Sequence, residues 1–379
     1  MANIFQSLFD SIRLGLFNKE DNSIVGIDIG SSSVKVVQIK KEKGRAVLET
    51  YGELALGPYK NIEIGRSTSM SPEKTVEALT DLFREANITT KRAAISIPLK
   101  SSLISLIEIP AIDKAKINEM IPIEARKYIP VPIAEVVLDW WVIPKREQDI
   151  GFEPGTFQEP SYSKKKVETV EVLVVAIHKT TLEDYKVIAS KMGFSMSDTF
   201  EIETFSAIRS VFGHDLSATA IIDVGGSSTR VVVVDYGIAR MAHTINKGSQ
   251  DITIALSKSL GIEFAKAEEI KRKVGAVGRV EGGDLLNIIN PTLDYILFEA
   301  SRIILGYQKK YSRSVGKVVL IGGGALLRGL PEIAAKSLEI EVKLGEPFKK
   351  LEAPAFLDPV LNEAGPSFAV AAGVALRDL

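Results

Sequence analysis

The chain has 379 residues, a formal net charge of -1, and 45% hydrophobic and 25% charged residues, which is ordinary for a globular protein. This length is sufficient for two domains or one large bilobal domain, and the balanced charge gives no basic field that would attract nucleic acid. Cysteine is absent, which excludes disulfides, cysteine nucleophiles and thiolate zinc sites and fits a reducing cytosol.

The N-terminal segment, residues 1–21, contains a predicted amphipathic helix. Apolar residues recur mostly three or four positions apart, at Ile4, Phe5, Leu8, Phe9, Ile12 and Leu16. Because Asp10 opposes Arg13 on the polar face, packing on this protein or on a partner is as good an alternative as membrane contact. The segment is not typical of a secretory signal, and no stretch approaches the roughly 20 apolar residues of a membrane-spanning helix. We therefore expect a cytoplasmic protein.

Two segments of the chain resemble each other. Ile24–Ile39 has the sequence IVGIDIGSSSVKVVQI, and Ala220–Asp235 has the sequence AIIDVGGSSTRVVVVD. In each, an apolar run reaches Asp-x-Gly, turns through small polar residues and continues as a second β-branched run, which is typical of a β-hairpin. Two copies predict two related lobes that face each other.

Strands and helices alternate around these hairpins. The first half predicts a strand over Ala46–Leu56, a helix over Ser71–Ala86 and a strand over Ala93–Ile97. The second half predicts helices over Gln250–Leu260, Phe264–Lys273 and Pro291–Tyr311, followed by a strand over Lys317–Ile321. This alternation indicates an α/β protein in which helices cover mixed sheets.

A different order of elements separates the two halves. Strand, helix, strand and strand are predicted over Ser102–Ile109, Asp113–Tyr128, Val136–Ile143 and Val167–Ile177, with a polar loop over Lys145–Lys166 and a helix over Thr181–Lys191 that leads back. Such a compact module can bind a partner. We therefore divide the chain into lobe I (22–101 and 196–220), an inserted partner-binding module (102–195) and lobe II (221–379).

The two hairpin turns carry residue types that bind phosphate and a divalent metal. The first loop contains Asp28, Gly30, Ser31, Ser32, Ser33 and Lys35, and the second contains Asp223, Gly225, Gly226, Ser227, Ser228 and Thr229. Glycine lets the backbone approach a phosphate, serine offers hydroxyl and N–H groups, and Lys35 can reach the phosphates as a point charge. Asp28 and Asp223 are candidate magnesium ligands and candidate catalytic residues. Either loop alone occurs in many hairpins, but the pair is a strong signal.

Two further motifs suit a nucleoside. Gly322, Gly323 and Gly324 follow a strand and permit flat contact with a base, or they form only a tight strand-to-helix turn. Glu268 and Lys271 lie three positions apart on one helical face, which suits ribose hydroxyls and adenine, or they form only a solvated salt bridge. The histidines, His178, His214 and His243, show no metal-ligand spacing.

In this order, the four segments resemble the actin, chaperone and sugar-kinase ATPase superfamily. They match its two phosphate loops, its ribose-contacting helix and its adenine loop. The resemblance implies a bilobal actin-like ATPase fold with a duplicated core and an inserted module, and it implies ATP and Mg2+ as cofactors. Within the superfamily the chain resembles the PilM family of type IV pilus assembly, through Gly26–Lys35 (GIDIGSSSVK), Ile123–Pro132 (IEARKYIPVP), Leu138–Trp140 (LDW) and Phe368–Arg377 (FAVAAGVALR).

The family resemblance implies an ATP-binding protein on the cytoplasmic face of the inner membrane. It implies that a groove beside the inserted module receives the N-terminal tail of the inner-membrane protein PilN, so that membrane association is peripheral and occurs through the partner. Pilus platform and motor proteins and a homo-oligomer are left open as further partners, and nucleic acid is not expected. Ile121, Ile123, Tyr128 and Ile129 are either apolar contacts of the tail or the core-facing stripe of their helix.

The resemblance also implies a residue that positions water shortly before the second phosphate loop. Glu203 resembles that residue, and Glu201 is the alternative. A general base would have to lie within hydrogen-bond reach of the attacking water. Otherwise both glutamates are solvent-facing residues of a connector. We expect slow turnover, or binding of ATP that sets the angle between the lobes.

Three other functions share this fold. The cell-division protein FtsA also has an inserted module, but it normally ends in a basic amphipathic helix, unlike Val374–Leu379. A filament-forming cytoskeletal protein is disfavoured by the position of the module. A small-molecule kinase or polyphosphate phosphatase remains the alternative from a different class, although no sugar-binding Asp or Asn cluster is clear and the missing cysteines exclude the zinc-type regulatory sugar kinases.

Overall fold

The computed structural model describes residues 22–110, 114–143, 169–194, 200–213, 215, 217–280 and 283–378. The predicted N-terminal helix, the polar loop Lys145–Lys166 and His214 lie outside these residues. Within the described ranges, no helix is both long and apolar enough to cross a bilayer.

Lobe I is built on a five-stranded sheet. Its strands are β1 (Ser23–Ile29), β2 (Ser33–Glu42), β3 (Arg45–Ala55), β4 (Ala93–Ile97) and β8 (Phe200–Ile202). The strand order is β3-β2-β1-β4-β8, in which β1, β2 and β3 are antiparallel neighbours and β4 and β8 run parallel to β1. Both faces of β1 and β2 are buried, which explains their nearly continuous β-branched sequences.

Lobe II repeats this arrangement. Its strands are β9 (Ala218–Val224), β10 (Thr229–Asp235), β11 (Ile238–Ile245), β14 (Val315–Ile321) and β15 (Glu341–Leu344). They lie in the order β11-β10-β9-β14-β15, with the same antiparallel and parallel neighbours as in lobe I. A two-stranded ribbon, β12 (Arg279–Val280) and β13 (Gly283–Asp284), is added. The repeated hairpin in the sequence thus corresponds to a repeated sheet.

Ten helices surround these sheets in the described part of the chain. They are α1 (Pro72–Glu85), α2 (Lys114–Ala125), α3 (Lys179–Met192), α4 (Glu203–Val211), α5 (Ser249–Leu260), α6 (Phe264–Val274), α7 (Leu285–Tyr311), α8 (Leu330–Leu338), α9 (Asp358–Ala364) and α10 (Ala369–Ala375). Helices α1 and α3 pack on lobe I, and α5, α6, α7 and α8 pack on lobe II. As predicted, the side chain of Ser71 caps α1 by accepting a hydrogen bond from the Lys74 N–H.

Helices α4 and α10 lie between the two large sheets. Apolar residues of α10 pack on β1 and β2 of lobe I, while Ala369 and Val370 pack with α4 on β9, β10 and β14 of lobe II. Glycine permits this close packing. A Cβ at Gly373 would lie 1.8 Å from the carbonyl oxygen of Ser206, and one at Gly26 would lie 2.0 Å from that of Ala371. Neither position can accept a side chain without moving backbone.

The inserted module forms a separate three-stranded antiparallel sheet. Its strands are β5 (Ser102–Pro110), β6 (Val136–Val142) and β7 (Thr169–His178), in the order β5-β7-β6. Helix α2 covers one face, where Ile121 and Ala125 are fully buried. On the other face, Leu173 packs against Ile143 and against Ile238 of β11 in lobe II. The predicted order of strand, helix, strand and strand is confirmed, while the domain boundaries remain predictions.

Two predicted helix boundaries are wrong. Pro291 does not start a helix, because α7 begins six residues earlier, where the side chain of Asp284 accepts a hydrogen bond from the Leu286 N–H at 3.1 Å. The buried residues Ile289 and Leu293 on either side hold the helix through the proline. Helix α2 ends at Ala125, three residues before the predicted end. Eight elements were not predicted from the sequence: β8, β11, β12, β13, β15, α4, α9 and α10.

A matched pair of substitutions tests the close packing of α4 and α10. We expect Gly373→Ala to lower the free energy of unfolding by about 1 to 3 kcal/mol, because the added methyl group overpacks a contact made by backbone. Gly306→Ala makes the same change in α7, where the nearest atom to the new Cβ lies 3.6 Å away. For Gly306→Ala we expect the free energy of unfolding to rise by about 0.5 to 1 kcal/mol, because alanine has a higher helix propensity than glycine. Urea denaturation measures both, and equal effects would contradict the packing described.

Candidate functional site

The turns of the β1–β2 and β9–β10 hairpins meet across a cleft between the lobes. A Cβ at Gly226 would lie 2.8 Å from Ser32 Oγ and 3.0 Å from Ser31 Oγ. The two turns have the same internal hydrogen bond, from Gly30 N–H to the Ser33 oxygen at 3.1 Å and from Gly225 N–H to the Ser228 oxygen at 3.0 Å. Backbone N–H groups and hydroxyls of both loops therefore converge, as an anion site requires.

The cleft has a volume of about 1220 Å³ and brings together nearly all of the predicted site residues. Its lining includes Asp28, Gly30, Ser31, Ser32, Ser33, Lys35, Glu203, Asp223, Gly225, Gly226, Ser227, Ser228, Glu268, Lys271, Gly322, Gly323 and Gly324. Thr229 is the exception. It is buried, and its hydroxyl donates to the Lys247 carbonyl oxygen at 2.8 Å, so its side chain does not line the cleft.

Arg230, which was not among the predicted residues, also lines the cleft. Its Nη2 and Nε donate to Oδ2 of Asp223 at 2.6 and 3.1 Å, and its Nη1 lies 3.0 Å from Oε1 of Glu203. The sequence contained a signal for it. Asp28 pairs with Lys35 across the first hairpin, and Asp223 pairs with Arg230 at the same spacing across the second. Each hairpin thus sets an aspartate opposite a cation.

Glu203, at the first position of α4, is buried and already has two partners. Its Oε1 accepts a hydrogen bond from the Leu99 N–H at 2.7 Å in addition to its contact with Arg230. Burial raises the pKa of Glu203 to about 7; Arg230 opposes this shift, while Asp223 and Asp28 add to it. The solvent-facing alternative is therefore wrong for Glu203. Glu201 does not line the cleft and instead binds Arg209 and Ser206.

Asp28 and Lys35 form the lobe I side of the charged centre. The Asp28 carboxylate accepts a hydrogen bond from Ser96 Oγ at 3.1 Å, and burial raises its pKa. Lys35 Nζ donates to Ser33 Oγ at 2.8 Å and lies 3.4 Å from Glu53. These contacts hold the ammonium group at the wall of the cleft beside the first loop, where it can attract an anion.

The carboxylates of the cleft do not form a complete metal site by themselves. Within the described ranges, no group of three or more His, Asp or Glu side chains is arranged to hold a metal ion. Asp28 and Asp223 each offer an oxygen, although Arg230 already occupies Oδ2 of Asp223. Magnesium usually keeps several waters and binds through one or two carboxylates together with substrate phosphates. The residues therefore fit a metal that is bound together with phosphate.

Glu268 and Lys271 on α6 form a buried ion pair in the cleft. Lys271 Nζ lies 2.7 Å from Oε2 of Glu268, and Thr253 Oγ1 donates to the same oxygen at 2.6 Å. Against the effect of burial, Lys271 and these hydrogen bonds lower the pKa of Glu268. Since the two residues are only 5% and 7% exposed, the alternative of a solvated salt bridge is wrong.

The glycines after β14 lie directly beside the second loop. Gly322 has a φ of +85°, and a Cβ there would lie 2.3 Å from Oδ1 of Asp223. Only glycine fits this approach of the backbone to the charged centre. A Cβ at Gly323 would meet no atom within 4 Å, so the backbone at this lining residue is open to the cleft.

Residues 61–71 of lobe I bridge the cleft to lobe II. The Ser67 N–H donates to Oε1 of Gln250 in α5 at 3.0 Å, and the guanidinium of Arg66 lies 4.2 Å from the ring centre of Phe264 in α6. Gly65, with a φ of +92°, packs against the Glu268 side chain. No local sequence pattern predicts this bridge, because it depends on contacts between residues far apart in the chain.

Comparisons with known proteins agree on this architecture. A family model described as type IV pilus assembly protein PilM matches residues 26–153 and 155–379. The chain is 23% identical to the cell division protein FtsA of Neisseria meningitidis serogroup B over 352 residues, covering 85% of this chain and 83% of that protein. The structure of a PilM–PilN type IV pilus biogenesis complex is similar with a TM-score of 0.75 and 22% identity, covering 93% of this chain and 98% of the other.

A second solved structure is similar at the level of the fold. MreB5 of Spiroplasma citri, bound to AMPPNP, has a TM-score of 0.51 and 12% identity, covering 94% of this chain and 96% of that one. Together with the duplicated sheets, these likenesses confirm the predicted bilobal actin-like fold.

The raised pKa of Glu203 predicts a specific dependence of stability on pH. Its folded-state pKa, about 7, exceeds the ordinary value of 4.5, so the folded protein binds the proton more tightly than the unfolded chain does. This contribution is complete below pH ~4.5 and is lost as the pH rises through ~7. Glu203→Gln cannot lose a proton, so its stability relative to the wild type should rise across this window by up to ~3 kcal/mol.

Denaturation of wild type and Glu203→Gln between pH 4.5 and 8 measures this difference. Glu85→Gln, at an exposed glutamate of α1, is the matched control for the chemical change itself. Parallel stability curves for the wild type and Glu203→Gln would contradict the buried environment of this carboxyl group.

Proposed function

The chain belongs to the PilM family of type IV pilus assembly proteins, and from this premise we propose that it is an ATP-binding scaffold on the cytoplasmic side of the pilus assembly platform. The cleft binds Mg-ATP, and the inserted sheet binds the N-terminal tail of a PilN-type inner-membrane protein in a way that depends on the nucleotide. Nucleotide binding is supported by the two glycine- and serine-rich loops that face each other in one cleft.

Each wall of the cleft has a part in holding the nucleotide. The facing loops around Gly30 and Gly226 offer backbone N–H groups and hydroxyls to the phosphates, and Lys35 adds a positive charge. Glu268 and Lys271, which line the cleft, contact the ribose and the base, and the open backbone at Gly323 contacts the base. A bound magnesium ion supplies positive charge to the phosphates, with Asp28 and Asp223 as its carboxylate ligands.

The buried and hydrogen-bonded carboxyl group of Glu203 favours a protein that binds ATP and hydrolyses it slowly at most. A general base must reach the attacking water with a free lone pair. The Oε1 of Glu203 is held by Leu99 and Arg230, which leaves Oε2 to take a proton, and the raised pKa of about 7 means that the group is already partly protonated near neutral pH and is then no base. The cleft is accordingly proposed to act through occupancy by the nucleotide and through the lobe angle.

The partner site is proposed to lie on the open face of the inserted sheet. A solved relative is a complex of PilM with PilN, so a PilN-type tail is the expected ligand. Of the four helix residues suggested by the sequence, Ile121 and Ile129 are buried in the module itself, while Ile123 and Tyr128 are exposed. The face of the sheet opposite α2 offers a further pair on the edge strand β6.

Val137 and Trp141 are this pair, with side chains that are 41% and 51% exposed. They alternate with Leu138 and Trp140, which pack toward α2. Trp141 lies opposite Leu173, whose side chain contacts lobe II, so the exposed tryptophan sits beside the junction of module and body. An apolar tail that binds beside this junction would contact both. Membrane association would then be peripheral and would occur through the partner.

A glycine substitution tests nucleotide binding. Gly226→Ala puts a methyl group where the two loops meet, so we expect the affinity for Mg-ATP to fall at least about tenfold, or ~1.4 kcal/mol. Gly306→Ala, on the outside of α7, should keep wild-type affinity. Calorimetric titration measures both. Unchanged affinity in Gly226→Ala would mean that the phosphates do not lie between the loops.

A second pair of variants locates the partner site. Trp141→Ala should weaken binding of a synthetic PilN-type N-terminal peptide by about 30-fold, since buried tryptophans at interfaces contribute about 2 kcal/mol or more. Trp141→Phe should retain most of the affinity. Tyr128→Ala is the control for the helix side of the module. If Tyr128→Ala abolishes binding and Trp141→Ala does not, the tail binds along α2 instead.

A further inference from the structure

A row of hydrogen-bonded groups joins the second phosphate loop to the start of the inserted sheet. Asp223 accepts from Arg230 at 2.6 Å, Nη1 of Arg230 lies 3.0 Å from Glu203, and Glu203 accepts from the backbone N–H of Leu99 at 2.7 Å. Leu99 begins the short turn Leu99–Ser101, which connects β4 of lobe I to β5 of the module. Three side-chain contacts thus span the distance from the cleft to the module.

The connector between β4 and β5 has a fixed shape. Pro98 restricts its own φ and removes an N–H group, and its carbonyl oxygen accepts a hydrogen bond from Ser102 Oγ at 2.7 Å. The Leu99 side chain is buried, with 7% exposed. The bond from Leu99 N–H to Glu203 therefore joins a rigid turn to an ionisable side chain of the cleft. A movement of that carboxylate would therefore change the hydrogen bonding of the turn that leads into β5.

Lobe II also holds the module from a second direction. Arg230 is near the start of β10, which pairs along its length with β11. Arg240 of β11 forms an ion pair with Glu171 of β7, and Ile238 packs on Leu173. The inserted sheet thus packs against β11, the strand that pairs with the strand of Arg230.

The charge of Arg230 is shared among more than one carboxylate. It contacts Asp223 and Glu203 directly, and its charge also acts on Asp28. A planar guanidinium binds phosphate oxygens in pairs, and charge-assisted bonds of this kind are strong. A phosphate group placed between the two loops therefore competes with Glu203 for Arg230. Asp223 is held by two of the arginine nitrogens and Glu203 by one, so Glu203 is the easier partner to exchange.

We propose that Arg230 and Glu203 transmit the presence of a terminal phosphate in the cleft to the inserted sheet, an inference that rests on the proposed function. Arg230 keeps Asp223 and exchanges Glu203 for an oxygen of the terminal phosphate. Without its cation, the buried Glu203 carboxylate is unfavourable where it stands, so it either turns away or takes up a proton, and both weaken the bond from the Leu99 N–H. A nucleoside diphosphate lacks the group that attracts Arg230 and leaves the row intact.

Amide hydrogen exchange at Leu99 and along β5 tests this inference. In the wild type, Mg-AMPPNP should speed exchange of the Leu99 amide by about tenfold, within the usual range of coupling between sites, and Mg-ADP should not. Arg230→Lys keeps the charge but cannot hold two carboxylates as a fork. In Arg230→Lys and in Glu203→Gln, the difference between AMPPNP and ADP at Leu99 should disappear.

Separate controls distinguish the possible failures. Arg84→Gln removes an arginine of an ion pair on the outside of α1 and should behave as the wild type. Thermal unfolding without nucleotide shows whether each variant is folded. If Arg230→Lys does not fold, the comparison of AMPPNP with ADP in Glu203→Gln serves as the test. If AMPPNP binds to the wild type but Leu99 exchanges equally with both nucleotides, the inference is overturned and the proposed function stands. If no AMPPNP binds in direct titration, both are overturned.

Discussion

The guanidinium of Arg230 and the carboxylates around it set the chemistry of the cleft. Asp223, Glu203 and Asp28 share its charge in a buried place, where an unpaired carboxylate is costly. The register of the β9–β10 hairpin fixes Arg230 opposite Asp223, so this arrangement follows from the backbone of lobe II. It leaves the centre of the cleft with less positive than negative charge. An additional cation that enters together with phosphate would be favoured there.

The fold connects this charged centre to distant parts of the molecule through Glu203 and Leu99. Glu203 is the first residue of α4, which lies with α10 between the two large sheets. Leu99 precedes the first strand of the inserted sheet. The charged centre is therefore in contact with both lobes and with the turn that leads into the module. A nucleotide that altered the partners of Arg230 would act on the surfaces that set the lobe angle and on those that carry a partner.

The sequence predicted the loops well because their signals are local. Asp28 to Lys35 and Asp223 to Ser228 combine strand, turn and glycine patterns that can be recognised within ten residues, and both loops line the cleft as expected. Arg230 was missed although Lys35 occupies the equivalent place in the first hairpin. Comparing the two hairpins position by position would have identified it.

The remaining errors arose from contacts that no local pattern encodes. The bond of Leu99 to Glu203 joins residues 104 positions apart, and the burial of the Glu268–Lys271 pair depends on packing between α5 and α6. Pro291 was misjudged because proline is common at a helix start, whereas here buried neighbours on both sides maintain the helix. Thr229 was included by its place in the loop, but the alternation of β10 directs its side chain away from the cleft.

The most direct test of the account is calorimetric titration of a PilN-type N-terminal peptide into the full chain, with and without saturating Mg-AMPPNP. The account predicts binding in both cases, with affinities that differ by about fivefold or more, and the same factor when AMPPNP is titrated with and without peptide. Equal peptide affinities in the two conditions would contradict a nucleotide-dependent scaffold, and no peptide binding in either would contradict the partner assignment itself.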